Sequence, residues 1–328
     1  MQRVVTVTLN PAIDRTVWVE ALVPGTTIRT ADTRASFGGK GINVARGVAR
    51  IGAPVIALGL AGEDQATPIE RYLESLGVQS RFIRTPGETR TNLKIIEQAS
   101  GRLTEINGSG AEVEPHEVDA LERELLSVVD RGDVGVVVFA GSLPIGVDAS
   151  VYARWTEILG RLQPNLRVLA DTSEEALLQV ARARPFLLKP NRVEASALTG
   201  RQLETDADAG DSVRQILALG VRGVLVSLGS SGAVAGWGSE VEHVPAGPIE
   251  VPSGQLQTTV GAGDAMVARI AVELARRDGA DIDQEAFFAM CRLAVAEAEA
   301  QIGGFMVSPQ PSVPADNERQ GAVPMTDG

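Results

Sequence analysis

The sequence predicts an α/β fold, a mostly parallel central sheet covered by helices on both faces, with a second, small β-sheet set apart from it. Three observations predict it. Short apolar, β-branched segments alternate with stretches of helical period along most of the chain. Several of the apolar segments, Val134–Ala140 above all, are nearly unbroken, as strands buried on both faces require. Residues 82–108 depart from this rhythm: their segments are short and mixed, with turns at Pro86-Gly87 and Ser100-Gly101.

Taken in order, Val4–Leu9 reads as a buried strand that Asn10-Pro11 breaks. Thr16–Glu20 alternates and reads as a strand outside the main sheet. Gly38-Gly39-Lys40-Gly41 opens a helix, Ile42–Ile51, ended by Gly52. Val55–Ala61 is strand-like, and Pro68–Leu76 is a helix closed by Gly77. Phe82–Arg84, Asn92–Glu97 and Arg102–Asn107 read as an antiparallel meander, which with Thr16–Thr33 forms the small sheet. The α/β rhythm resumes with a helix over Pro115–Val129, the strand Val134–Ala140 and its exit loop Gly141-Ser142-Leu143-Pro144. A helix (Ala149–Leu162), a strand (Arg167–Asp171), a helix (Glu174–Ala183) and a short strand (Phe186–Lys189) follow. Pro190-Asn191 leads into the helix Arg192–Leu198, then come a helix over Ala209–Leu219 and the strand Gly223–Ser227. Gly229–Gly232 turns the chain into Ala233–Gly236, and helices over Asp264–Arg277 and Gln284–Gln301 close the fold. Residues 307–328 carry four prolines and little apolar content, the composition of a disordered tail. The expected division is a core of 1–13, 34–81 and 109–306, with the small sheet at 14–33 and 82–108.

Composition narrows the function. The chain has 328 residues, one large or two ordinary domains, and 44% hydrophobic residues supply a sizeable core. A net charge of −12 argues against a nucleic acid or an anionic membrane as partner, so an anionic substrate needs a local basic site. The single cysteine, Cys291, excludes an internal disulfide, and its apolar neighbours predict a buried helical thiol. No apolar run approaches the roughly 18 residues of a membrane span, and no leader pattern precedes the first strand. A cytoplasmic protein is the expectation. His116 and His243 lie outside every motif and read as surface residues.

Polar and glycine residues gather just after apolar strands, at Asn10–Asp14, Gly141–Pro144, Lys189–Glu194 and Ser227–Gly232. Open parallel sheets bind ligands beyond the carboxyl ends of their strands, so these loops are expected to share one cleft. Thr259-Val260-Gly261-Ala262-Gly263-Asp264 joins them. Small residues run into a helix whose first N–H groups have no intrahelical partner and sit at the positive end of its dipole, a cradle for an anion. Asp264 stands beside it as a general base; read alone, the same turn also fits an Asp N-cap. Gly38–Asn43 is not a Walker A loop, because Gly41 stands where Ser or Thr would follow the Gly-Lys. It admits a sugar or phosphate to the backbone, or is simply a helix start with a surface lysine.

These residues together resemble the phosphofructokinase B group of the ribokinase-like sugar kinases, from about residue 4 to 305. The resemblance is carried by Leu9-Asn10-Pro11-Ala12-Ile13-Asp14, Gly38–Asn43 with Val44-Ala45-Arg46, Gly141–Pro144, Lys189-Pro190-Asn191 with Glu194, Ser227-Leu228-Gly229 with Gly232, and Val260–Asp264, in this order. It implies a ribokinase-like three-layer α/β/α core with a β-sheet lid, and transfer of a phosphoryl group from ATP, with Mg²⁺, to a sugar hydroxyl. Asp264 would be the base, and the amides of Gly261, Ala262 and Gly263 the anion hole. Asp14, Gly38, Gly39, Lys40, Asn43 and Ser142 would bind the sugar. Arg90 would hold the phosphate already on it, with Lys40 sharing the task. Lys189, Asn191, Ser227, Gly229 and Gly232 would line the nucleotide, and Asn191 with Glu194 would organise Mg²⁺ through water. A homodimer through the lid is implied as well.

The opening motif points to the sugar-phosphate branch, which holds 1-phosphofructokinase, tagatose-6-phosphate kinase and the minor 6-phosphofructokinase. Thr104–Gly108, downstream of Thr89–Asn92, favours fructose 1-phosphate, phosphorylated to fructose 1,6-bisphosphate. Tagatose 6-phosphate and fructose 6-phosphate are the alternatives; a non-catalytic sugar-phosphate binder and a kinase of nucleosides or unphosphorylated sugars stand further off. Ala265 and Arg269 depart from the branch, which usually carries Ser and a small residue there, and the Pro-rich tail replaces its usual final helix.

Overall fold

The computed structural model describes residues 1–248 and 261–304. Along the chain run β1 (Arg3–Thr8), β2 (Ala12–Val19), β3 (Asp32–Gly38), α1 (Lys40–Arg50), β4 (Val55–Gly62), α2 (Glu63–Ser75), β5 (Gln79–Thr85), β6 (Arg90–Glu97) and β7 (Leu103–Asn107). Then follow α3 (Pro115–Val129), β8 (Val134–Ala140), α4 (Val151–Leu162), β9 (Arg167–Asp171), α5 (Glu174–Arg182), β10 (Leu187–Leu188), α6 (Arg192–Thr199), α7 (Asp206–Ala218) and β11 (Gly223–Ser227). A hairpin, β12 (Ala233–Trp237) and β13 (Glu240–Val244), and the helices α8 (Ala262–Arg276) and α9 (Gln284–Gly304) complete the described chain.

The main sheet has nine strands in the order β13-β12-β11-β10-β9-β8-β1-β4-β5. It is parallel from β11 to β5, and the hairpin adds two antiparallel strands at one edge. β1, β4 and β8 are buried along almost their whole length, as their apolar and β-branched sequence predicts. Two cores result. One face packs against α1, α2, α8 and α9 through residues such as Ile42, Ile69, Val267, Ile270 and Phe287. The other packs against α3, α4, α5 and α7 through Leu121, Trp155, Val180 and Ile216. Cys291 is fully buried in the first core. Among the described residues no helix is long and apolar enough to cross a membrane.

The small sheet has the order β3-β2-β6-β7. Two readings are corrected here. Phe82–Arg84 belong to β5, which pairs in parallel with β4 at the edge of the main sheet, not to the small one. Phe82 turns inward and is 4% exposed, so its segment is a core strand despite the polar residues that alternate with it. The small sheet is also no simple meander: β2 pairs with β6 in parallel, and only β2–β3 and β6–β7 are antiparallel. It therefore takes in residues 12–19, 32–38, 90–97 and 103–107 and begins two residues earlier than expected. Elsewhere α2 starts five residues before Pro68 and runs through it, although proline supplies no N–H for the helical bond back to the Asp64 carbonyl. The strand β13 is not among the strands expected from the sequence; its signal is the alternation of Glu240–Glu242 behind the Gly238-Ser239 turn. Residues 307–328, Thr259 and Val260 lie outside the described residues.

Candidate active site

The parallel strands β11, β10, β9, β8 and β1 are adjacent, so their carboxyl ends and the loops that follow share one edge. That edge is tied together. Gly141 N–H donates to the Asp171 carbonyl at 2.9 Å, Thr172 Oγ1 donates to the Gly141 carbonyl at 2.8 Å, and Lys189 N–H donates to the Ala170 carbonyl at 3.0 Å. Asn10 Nδ2 reaches the Ser109 carbonyl, Ser142 Oγ and the Leu143 carbonyl at 3.2–3.4 Å.

Asp264 is not the N-cap of its helix. Gly261 takes that position with φ 83°, a left-handed conformation that glycine adopts without strain, and Asp264 sits in the first turn of α8. Its carboxylate accepts from Asn43 Nδ2 at 2.8 Å, a bond that crosses from α1 to α8. Asp264 is 7% exposed, and its pKa is pushed up to about 6. Burial is the main cause and the neighbouring Asp171 charge the second; the Asn43 hydrogen bond, Lys40 and Lys189 oppose them. The first-turn amides of α8 beside it have no intrahelical acceptor, as helix geometry dictates.

Asp171 is the residue that the sequence reading left out. It ends β9 at the carboxyl edge and is 1% exposed. Lys40 Nζ lies 2.8 Å from its Oδ1 and Lys189 Nζ 3.4 Å from its Oδ2. Burial raises its pKa, but the two ammonium groups outweigh burial and hold it below the usual carboxylate range. Lys40 in turn is held protonated by Asp171, Glu194 and Asp264 despite burial, with Glu194 Oε1 at 3.8 Å. Gly263 borders Lys189: a Cβ at 263 would come within 3.2 Å of Nζ. A carboxylate that closes a buried apolar strand at the ligand edge was the available signal.

Asn191 and Glu194 form a reciprocal capping box on α6. Asn191 Oδ1 accepts from the Glu194 N–H at 2.9 Å, and Glu194 Oε2 accepts from the Asn191 N–H at 2.8 Å. A hydrated Mg²⁺ still fits this corner. Glu194 Oε1 and the buried Asp171 Oδ2 are held only by long ion pairs, to Lys40 at 3.8 Å and to Lys189 at 3.4 Å, and Mg²⁺ keeps much of its water shell while using one or two carboxylates. A direct cage of three His, Cys, Asp or Glu side chains is absent among the described residues. Ser227 bridges to Asn191 as an extension of the sheet, and Gly229 and Gly232 lie in the β11–β12 hairpin turn, where Leu228 N–H donates to the Gly232 carbonyl at 2.8 Å.

A second polar group lies on the small sheet. Asp14 on β2 accepts from Asn92 Nδ2 at 2.9 Å and from Lys94 Nζ at 3.0 Å, both on β6. Gly38 and Gly39 adjoin it: a Cβ at 38 would lie 2.6 Å from Asp14 Oδ2, and Gly39 has φ 111°. The same backbone leads directly to Lys40 and so joins this group to the first. Arg90, at the start of β6, donates to the carbonyls of Asn10, Pro11 and Gly108 at 3.2–3.4 Å. A cavity of about 640 Å³ lined by Pro86–Thr91 and Gly108–Glu112 opens beside Arg90; no other candidate residue lines it, so it is not where the reacting groups converge.

The chain belongs to the pfkB family of carbohydrate kinases. The family model matches residues 1–306. The 1-phosphofructokinase of Vibrio cholerae is 37% identical over 267 residues, 81% of this chain and 81% of that protein. The 1-phosphofructokinase of Escherichia coli K12 is 33% identical over 301 residues, 92% of this chain and 93% of that one. Among solved structures, the tetrameric inhibited form of phosphofructokinase-2 from E. coli superposes with a TM-score of 0.81 at 30% identity, covering 92% and 94% of the two chains. The same E. coli enzyme in complex with fructose-6-phosphate gives a TM-score of 0.79 at 27% identity, covering 93% and 99%. The ribokinase-like architecture read from the motifs is the one observed.

Proposed function

We propose that the protein transfers the γ-phosphoryl group of ATP to the free primary hydroxyl of a fructose phosphate, with D-fructose 1-phosphate as substrate and fructose 1,6-bisphosphate as product. The observation that carries this reading is the buried Asp264–Asn43 pair, set at the start of α8 and flanked by Lys40 and Lys189. The names of the most similar relatives support the substrate.

The sugar hydroxyl attacks phosphorus. A new O–P bond forms, the bond from phosphorus to the β–γ bridging oxygen breaks, ADP leaves, and the hydroxyl proton passes to Asp264. A carboxylate with a pKa near 6 is ionised at neutral pH, yet more basic than an ordinary aspartate. The amides of Gly261, Ala262 and Gly263 face the migrating group; such preorganised donors are worth roughly 3–4 kcal/mol each. Asn43 fixes the carboxylate, and Lys189 and Lys40, held by Asp171, offset phosphate charge. When bound with the nucleotide, Mg²⁺ would supply charge neutralisation, held through water by Asn191 and Glu194. Ser227, Gly229 and Gly232 admit the nucleotide beside Asn191. Asp14, Gly38, Gly39 and Ser142 take the sugar hydroxyls and Arg90 the phosphate.

The small sheet closes over the sugar as a lid that excludes water. β7 is an edge strand of that sheet and exposes Leu103 and Ile106 on its two faces, an edge that supports a homodimer through the sheet. A buried, unpaired Cys291 and a membrane-span-free described chain support a cytoplasmic setting. A coupled ADP-release assay with fructose 1-phosphate, fructose 6-phosphate, tagatose 6-phosphate and free fructose tests the reading. The highest kcat/KM belongs to fructose 1-phosphate; equal turnover of free fructose, or none of any sugar, would overturn it.

A further inference from the structure

Three cations lie near the sugar end of the cleft, and their commitments differ. Lys40 is taken by two carboxylates, Asp171 and Glu194. Arg90 directs Nε, Nη1 and Nη2 at three main-chain carbonyls, which pins the β1–β2 turn to the end of β7. Lys94 makes a single contact among the described residues, to Asp14 Oδ2, and its side chain is 15% exposed. An ammonium has three N–H donors, so two remain for a ligand.

Register sets the direction in which Lys94 works. Arg90, Asn92 and Lys94 alternate along β6 and so share a face with Ala12, Asp14 and Thr16, their partners on β2. Lys94 lies opposite Thr16 but leans back along the strand to Asp14, into the space between itself and Arg90. Its partner across the other ladder is the exposed Glu105. Charge requires more than Arg90 alone. A phosphate monoester carries about −1.5 to −2 near neutrality. Asp14 adds another negative charge at the place where sugar hydroxyls are to be bound, so Arg90 by itself would leave the bound ligand in a net negative site.

We propose that Lys94 is a substrate-binding and specificity-determining residue: its ammonium bridges Asp14 and the phosphate already carried by the ketose. This rests on the kinase reading above and deepens it. In this arrangement Asp14 orients both the sugar and Lys94, and a sugar without a phosphate gains little from Lys94.

Lys94→Gln separates contact from positioning, because a glutamine amide can still donate to Asp14 but carries no charge; Lys94→Met removes both. KM for fructose 1-phosphate is expected to rise about 10- to 100-fold in both variants, the range of a lost charged hydrogen bond, with kcat changed far less. KM for free fructose stays near the wild-type value in Lys94→Gln, and Lys94→Arg recovers part of the loss. An unchanged KM in Lys94→Gln, or equal increases for phosphorylated and free sugar, would overturn the proposal and leave Lys94 as a support for Asp14 alone. Calorimetric titration of fructose 1-phosphate into ATP-free protein separates this from the kinase reading. Wild-type binding that Lys94→Gln weakens, without any turnover, would defeat the kinase reading and keep the Lys94 site.

Discussion

Around Asp264 the polar side chains come from four separate segments and three of them are buried, whereas at Asp14 they are half-buried and come from two neighbouring strands. Asp264, Asn43, Lys40, Asp171 and Lys189 belong to α8, α1, the ends of β9 and β10, and the loops beside them; Asp171 and Lys189 are 1% and 4% exposed. Asp14, Asn92 and Lys94 face each other across one parallel ladder. The first group shifts pKa values and is locked by the core, as chemistry on a phosphoryl group requires. The second pairs one carboxylate with an amide and an ammonium across a small sheet that is joined to the core by short connections. On the proposed function, the difference would give rate to the main sheet and substrate selection to the small one.

That division can be broken by variants at each end. Asp264→Asn is expected to lower kcat by about 10²–10⁴-fold with little change in KM for either substrate, because it removes the proton acceptor. Steady-state kinetics check this, and near-wild-type turnover would end its role as base. Asp171→Asn strips both Lys40 and Lys189 of their shared counter-charge. A loss of about 3 kcal/mol in stability is expected from leaving a buried cation unpaired. The acid limb of kcat/KM, set near pH 6 by Asp264, should also move to lower pH, since the Asp171 charge is the second cause of the raised value. Urea unfolding and a pH–rate profile read the two effects separately.

Arg90→Ala belongs to the other end and is expected to raise KM for the ketose phosphate about tenfold, by loss of a charged contact. Because Arg90 also holds three carbonyls, its melting temperature should fall as well. A change in kcat larger than the change in KM would place Arg90 with the reacting groups instead. The last effect concerns stability alone. Asp264 has a folded-state pKa near 6, above the ordinary value of about 3.9. Its favourable contribution is full below about pH 4 and is lost as pH rises through about 6. Asp264→Asn should therefore match the wild type at low pH and exceed it by about 2–3 kcal/mol at neutral pH. Thermal unfolding across that range measures it, and a difference independent of pH would mean that the carboxylate is not held in a raised-pKa site.

Arg269, one of the departures from the sugar-phosphate branch, has a structural partner rather than a chemical one. It pairs with Glu297 on α9 and with Glu273 one turn along α8, while Arg50 on α1 reaches Glu297 at 2.9 Å. The helices α1, α8 and α9 on one face of the sheet are thereby joined through Glu297. Ala265 is buried beside the first turn of α8 and has no polar role in the described structure.

The sequence by itself determined the layered α/β core, the strands Val134–Ala140, Arg167–Asp171 and Gly223–Ser227 to the residue, and the loops that make the cleft. The reason is physical: burial on two faces forces an unbroken apolar strand, and helix starts that crowd a ligand force glycine. Local pattern could not decide matters that depend on pairing. The tertiary structure alone put Phe82 in the main sheet, made β2 and β6 parallel, and brought Asp171 between two lysines 131 and 18 positions away along the chain. It also set Lys94 against Asp14, 80 positions away, because strand register, invisible in either segment alone, chooses which charges meet.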